Sequence, residues 1–270
     1  MTTTLTQPWT NPLRELLRAG KPTVGITITT NSVEMAAQAA SVGFDFLWVE
    51  MEHSPVSLET LRNIVLATRG LKAVPLARVP VTECWAAKRV MDAGVMGVIF
   101  PFASTPEMAR CAAEACKYPP LGRRGSGAGL ATFRWPPAED YYDFSDRNML
   151  VIAMIEEAAG IECIDEIAAT PGVDVLFIGT SDLSFSLGLR GRQNEPKLKD
   201  AIEKVVRAAR ENKKFLGRPA ANAMQIQEYV EQGFLFFQSA TELGLMRNGA
   251  SLLLEPLGKA VKENEAQPLY

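Results

Sequence analysis

The chain has 270 residues, 47% hydrophobic and 22% charged, with 28 Lys and Arg against 31 Asp and Glu and a formal net charge of −3. That balance supplies no basic field for nucleic acid or an anionic membrane. No segment approaches the roughly 20 apolar residues that span a bilayer. The first residues show no basic start and no long apolar stretch, so no secretory signal is expected. Cys84, Cys111, Cys116 and Cys163 form no C-x-x-C and no zinc spacing; they read as reduced thiols of a cytoplasmic protein, with Cys111 and Cys116 as packing residues of one helix.

Strand-like and helix-like patterns alternate about eight times. The strand runs fall at residues 23–30, 44–52, 74–79, 97–102, 149–156, 173–179, 215–219 and 234–239. They are short, β-branched or aromatic and nearly all apolar, as in a parallel sheet buried on both faces. Helical periodicity follows at 57–71, where Leu58, Leu61, Ile64, Val65 and Thr68 share a face, and at 106–117, 160–170, 199–213 and 224–232. Start signals fit at Asn31-Ser32, at Ser57 with Thr60, and at Thr105-Pro106. Gly43, Gly70, Gly94 and Gly233 mark helix ends. This order predicts a single-domain (β/α)8 TIM barrel over residues 1–270. The competitor, a doubly wound open sheet, is weakened because no G-x-G-x-x-G follows the first strand. One connection, residues 118–148, is long and rich in Gly, Pro and aromatics; it is expected to be an ordered active-site or interface loop.

In such a barrel the active site lies at the C-terminal ends of the strands. There the second strand runs into Glu50, Glu52 and His53, the third ends at Arg78, the fifth at Glu156 and the sixth at Gly179-Thr180-Ser181-Asp182. His53 is the chain's one histidine and the natural acid–base candidate near neutral pH. Glu156 and Asp182 close adjacent strands with no nearby Cys or second His. That set suits a hard divalent cation, Mg²⁺ or Mn²⁺, with Co²⁺ also accepted. Arg78 is placed to clamp a carboxylate or enolate oxygen. The turn at Gly179, Thr180 and Ser181 offers backbone N–H groups to an anion. No lysine ends a strand, which argues against a Schiff base and for a metal as the electron sink.

These motifs, in this order, resemble the HpcH/HpaI aldolases. The resemblance rests on EHSP at 52–55, LARVP at 76–80, KRVMDAGVMGVIFP at 88–101, KYPPLGRRGSG at 117–127, MIE at 154–156 and GVDVLFIGTSDLSFSLG at 172–188. It implies a metal-dependent aldolase of (β/α)8 fold, often a homohexamer (a trimer of dimers), with the last helix exchanged between subunits. It implies a metal on Glu156 and Asp182, pyruvate or its enolate as chelator, Arg78 as enolate stabiliser and His53 as acid–base. Asp92 matches the carboxylate that orients this histidine. The implied reaction cleaves a 4-hydroxy-2-oxoacid to pyruvate, or a close 2-oxoacid, and an aldehyde; such small molecules are the expected partners, with no nucleic acid and no membrane. Three departures stand out: Thr180-Ser181 replaces the family's Pro-Ala before the metal aspartate, Glu50 stands where the family often has Asp, and the last strand lacks the usual Val-Gly-x-Asp ending. Two alternatives stay open: a macrophomate-synthase-type decarboxylase forming C–C bonds on the same metal-enolate core, and a non-catalytic binding barrel, which the departures at Thr180-Ser181 and Thr241-Glu242 allow.

Overall fold

A computed structural model describes residues 9–135 and 140–259. Eight parallel strands close into one barrel in chain order: β1 Thr23–Ile28, β2 Phe46–Glu50, β3 Val74–Arg78, β4 Gly97–Phe100, β5 Leu150–Ile155, β6 Val175–Ile178, β7 Phe215–Pro219 and β8 Phe234–Thr241. The predicted TIM barrel is thus the fold, and β2 through β6 are buried along their whole length. Aromatic rings fill the interior: Phe46 stacks on Phe236 at 4.4 Å, and Phe177 meets Phe236 edge-on. Gly25 of β1 makes room for this stack, since an added Cβ would fall 2.0 Å from the Phe46 ring.

The helix starts follow the capping residues. Ser32, Ser57 and Thr105 accept hydrogen bonds from the backbone N–H of Met35, Thr60 and Met108, and Gly94 ends the helix Cys84–Ala93 in the left-handed conformation (φ 105). Two boundaries differ from expectation. β2 stops at Glu50, not at residue 52, because the Glu50 side chain turns back and accepts the N–H groups of Glu52 and His53. The helix expected over 160–170 is two short helices, Ala158–Glu162 and Ile164–Ala169, that break at Cys163.

Of residues 118–135 and 140–148, the helices Gly129–Arg134 and Tyr141–Asn148 cover the N-terminal end of the barrel. There Arg134 donates to the carbonyls of Val65 and Thr68, and Trp135 to that of Gly94, each at the C-terminal end of a barrel helix. The same end holds a helix that periodicity missed, Pro12–Arg18, which buries Leu13 and Leu17 and is anchored by Asn11 on Asn148.

β8 carries two register shifts, one skipping Leu235 against β7 and one skipping Ser239 against β1. The strand then delivers Glu242, 2% exposed, which accepts the N–H groups of Thr29 and Thr30 at 2.7 Å and so fixes the end of β1. In the helix Glu242–Leu254, Glu242 is the one buried residue; Leu243, Leu245, Met246, Leu252 and Leu253 face outward. Among the described residues no helix is long and apolar enough to cross a membrane.

Candidate active site

The C-terminal ends of β2 and β3 pair in register, with Glu50 opposite Arg78. Their side chains meet inside the barrel mouth: Arg78 Nε donates to Glu50 Oε2 at 2.6 Å, and the two side chains are 2% and 0% exposed. Trp48 Nε1 donates to the same oxygen at 3.1 Å. Glu50 is therefore fully engaged in holding Arg78 and shaping the turn that follows β2. Arg78 also pairs with Glu52, Nη1 to Oε2, at 3.2 Å. That Glu52 oxygen lies 3.7 Å from Nε2 of His53, whose side chain is 46% exposed. Glu52 thus links the fixed guanidinium to the accessible imidazole. Burial raises the Glu52 carboxyl above its usual range, against the opposing pull of Arg78 and His53.

Across the mouth, Glu156 follows β5 and is 1% exposed. Its Oε1 accepts the backbone N–H of Phe102 at 2.7 Å; Phe102 is held at φ 48, a left-handed value uncommon for an aromatic residue. The Oε2 of Glu156 is buried and has no hydrogen-bond partner among the described residues. Burial pushes the Glu156 carboxyl up to about 7, and the Asp182 and Glu52 charges add to the rise. Asp182 lies in the first turn of the helix Thr180–Ser186, whose N-cap is Gly179. It is an intrahelical residue, not the cap of the turn.

One small cavity brings these groups together: Arg78, Glu156, Gly179, Thr180, Ser181 and Asp182 line it, over a floor of Trp48, Met154 and Phe177. A larger cleft beside it, about 570 Å³, shares Thr180, Ser181, Pro219 and Gln238 and continues along the ends of β7 and β8. Among the described residues two arginines, Arg218 and Arg247, and no carboxylate line that cleft.

Asp92 is elsewhere. It lies in the last turn of Cys84–Ala93, at the N-terminal end of the barrel, where Arg124 Nη2 binds its Oδ1 at 3.1 Å. Within one chain it does not stand beside His53, because its helix starts at the rim and runs to the far end of the barrel. The sequence placed Glu50 and Glu52 at the rim as possible salt-bridge partners of Arg78, and both pair with it. It had no signal for Phe102, whose contribution is a backbone N–H.

Among the described residues no cluster of three or more His, Cys, Asp or Glu side chains could hold a metal. Two carboxylates, with remaining positions left to water and substrate, are nonetheless the donor set that Mg²⁺ takes. The partnerless buried Oε2 of Glu156 is the atom a cation would satisfy, since a buried acceptor left unpaired is costly. The residues fit the group.

The profile described as HpcH/HpaI aldolase/citrate lyase matches residues 24–249. A 5-keto-4-deoxy-D-glucarate aldolase of Escherichia fergusonii is 34% identical over 217 residues, 80% of this chain and 85% of that protein. A hydroxypyruvate/pyruvate aldolase of Cupriavidus necator is 29% identical over 247 residues, 91% of this chain and 92% of that protein. The crystal structure of an HpcH/HpaI aldolase/citrate lyase family protein from Burkholderia cenocepacia superposes with a TM-score of 0.84 at 29% identity, covering 93% of this chain and 100% of that one.

Proposed function

This chain belongs to the HpcH/HpaI aldolase/citrate lyase family and is a carbon–carbon lyase, and on that premise we propose that it reversibly cleaves a 4-hydroxy-2-oxoacid to pyruvate, or a close 2-oxoacid, and an aldehyde. The observation that carries the reading is the pairing of a partnerless buried Glu156 oxygen with a fixed Arg78 guanidinium in one cavity.

Glu156 and Asp182 would hold the divalent cation on which aldolases of this family generally depend. When bound, Mg²⁺ or Mn²⁺ supplies the positive charge that polarises the 2-oxo group. The chain's own residues do the rest. Arg78, immobilised by Glu50 and Trp48, presents a preorganised donor to the oxygen on which enolate charge develops. Because Glu50 and Glu52 already hold the guanidinium, it needs no reorganisation during the reaction. The backbone at Gly179-Thr180-Ser181 receives the 2-oxoacid carboxylate at the start of the helix Thr180–Ser186. His53, exposed on its turn and backed by Glu52, takes the proton from the C4 hydroxyl as the C3–C4 bond breaks and returns it in synthesis. The aldehyde half leaves through the cleft along β7 and β8.

The orienting role implied for Asp92 would be exercised across an interface, by the Asp92 of a neighbouring copy. The apolar outer face of Glu242–Leu254 supports such an assembly, a homo-oligomer in which this helix packs on another subunit.

Pyruvate release from a panel of 4-hydroxy-2-oxoacids tests the reading, with metal-stripped protein and with Mg²⁺, Mn²⁺ or Co²⁺ restored. Metal-dependent release is expected, and Glu156→Gln and Asp182→Asn should abolish it. Full activity of the double variant in the presence of chelator would overturn the mechanism.

A further inference from the structure

The helices Cys84–Ala93 and Pro106–Ala115 pack side by side. At their contact the Sγ atoms of Cys84 and Cys111 lie 2.7 Å apart, closer than two non-bonded sulfurs settle. Cys84 is exposed and Cys111 half-buried, so the pair opens to solvent. The two residues are 27 positions apart on different helices, and the proposed aldol chemistry uses neither. We propose that Cys84 and Cys111 form a reversible dithiol–disulfide pair, a redox modification site on the outer wall of the barrel beside the catalytic rim.

The placement gives the pair a consequence. Cys84 opens the helix that follows the loop leaving Arg78. Cys111 lies in the helix that follows the loop whose Phe102 N–H holds Glu156. A covalent bond between them ties together the two segments that position opposite sides of the site. The other cysteines differ: Cys116 is wholly buried, and Cys163 donates to the carbonyls of Ser104 and Ala159.

The chemistry is thiol–disulfide exchange with a low-molecular-weight disulfide such as glutathione disulfide. The Cys84 thiolate attacks one sulfur of the reagent, forming a mixed disulfide and expelling one thiolate. Cys111, its proton lost to solvent, attacks Sγ of Cys84; the Cys84–Cys111 bond forms and the second thiolate leaves. The protein loses two electrons and two protons, and the reagent becomes two thiols. Burial and the contact with Cys84 push the Cys111 thiol up to about 11, consistent with Cys84 as first attacker and Cys111 as resolving thiol.

The test uses the full chain, equilibrated in buffers of increasing glutathione disulfide to glutathione ratio. Free thiols are then blocked with a maleimide and the protein digested with trypsin. Under oxidising conditions a linked pair of peptides, 79–88 with 111–117, is expected; it should vanish on reduction, be absent in Cys84→Ser and persist in Cys116→Ser. The oxidised protein should melt roughly 5 °C higher than the reduced one, as closing a loop of this length implies. Separate glutathione adducts on Cys84 and Cys111 with no linked peptide would overturn the proposal. So would maleimide on both residues of folded protein under full oxidation. Neither result depends on whether the aldolase reading is correct.

Discussion

An added Cβ on Gly179 would fall 2.4 Å from Oε2 of Glu156: the bare backbone at the end of β6 is the space that the Glu156 carboxylate occupies. The glycine is thus part of the site, although its φ of −78 is open to any residue. Gly179→Ala should leave the fold intact and displace the carboxylate. Mn²⁺ affinity, measured by titration calorimetry, is expected to fall about tenfold or more, a cost of roughly 1.4 kcal/mol. Unchanged affinity with an unchanged melting temperature would separate Glu156 from metal binding.

The Glu50–Arg78 pair is buried on both sides. Removing one partner strands the other charge in the barrel mouth, which costs about 3–5 kcal/mol. Glu50→Ala should lower the unfolding free energy measured in urea by that amount, whereas Glu50→Gln, which keeps the volume and one acceptor oxygen for the turn after β2, should lose less. Equal losses in the two variants would mean that packing, not charge pairing, sets the contribution of Glu50.

The raised Glu156 carboxyl makes a signed pH prediction. Its folded value of about 7 stands above the ordinary 4.5, so the folded state retains a proton that the unfolded chain has already released. For this group the stability of metal-free protein is greatest below pH 4.5, declines as pH rises and is fully lost above about 7. Melting temperatures of stripped protein should carry a falling component between pH 5 and pH 8 that Glu156→Gln removes. Added Mg²⁺ should stabilise more at pH 8 than at pH 5, because the cation must displace that proton. A wild-type slope identical to that of Glu156→Gln would refute the assignment.

The positions of Asp92 and His53 at opposite ends of one barrel predict complementation between chains. His53→Ala and Asp92→Asn should each be strongly impaired. Mixed after dissociation and reassembly, they should recover up to about a quarter of wild-type turnover if each site takes one residue from each of two copies. No recovery from verified mixed oligomers would confine Asp92 to its contact with Arg124.

Eight buried runs separated by caps and glycines were enough to determine the barrel, and strand ends lying on one rim were enough to collect Arg78, Glu156 and Asp182. Both follow from local rules: continuous apolar strands, period-3.6 helices and the common direction of parallel strands. Tertiary structure decided what depends on a side chain's route. Glu50 turns back to end β2 early and fastens Arg78, so the rim carboxylates divide into a holder, Glu50, and a bridge to His53, Glu52. Phe102 serves Glu156 through its backbone, which leaves no trace in residue type. Asp92 lies at the other end of the barrel, with Arg124 on it, because a helix that starts at the rim ends opposite it. Cys84 and Cys111 meet because adjacent helices are brought side by side only when the barrel closes. Sequence spacing specifies which face of an element a residue occupies; only packing specifies what stands across from it.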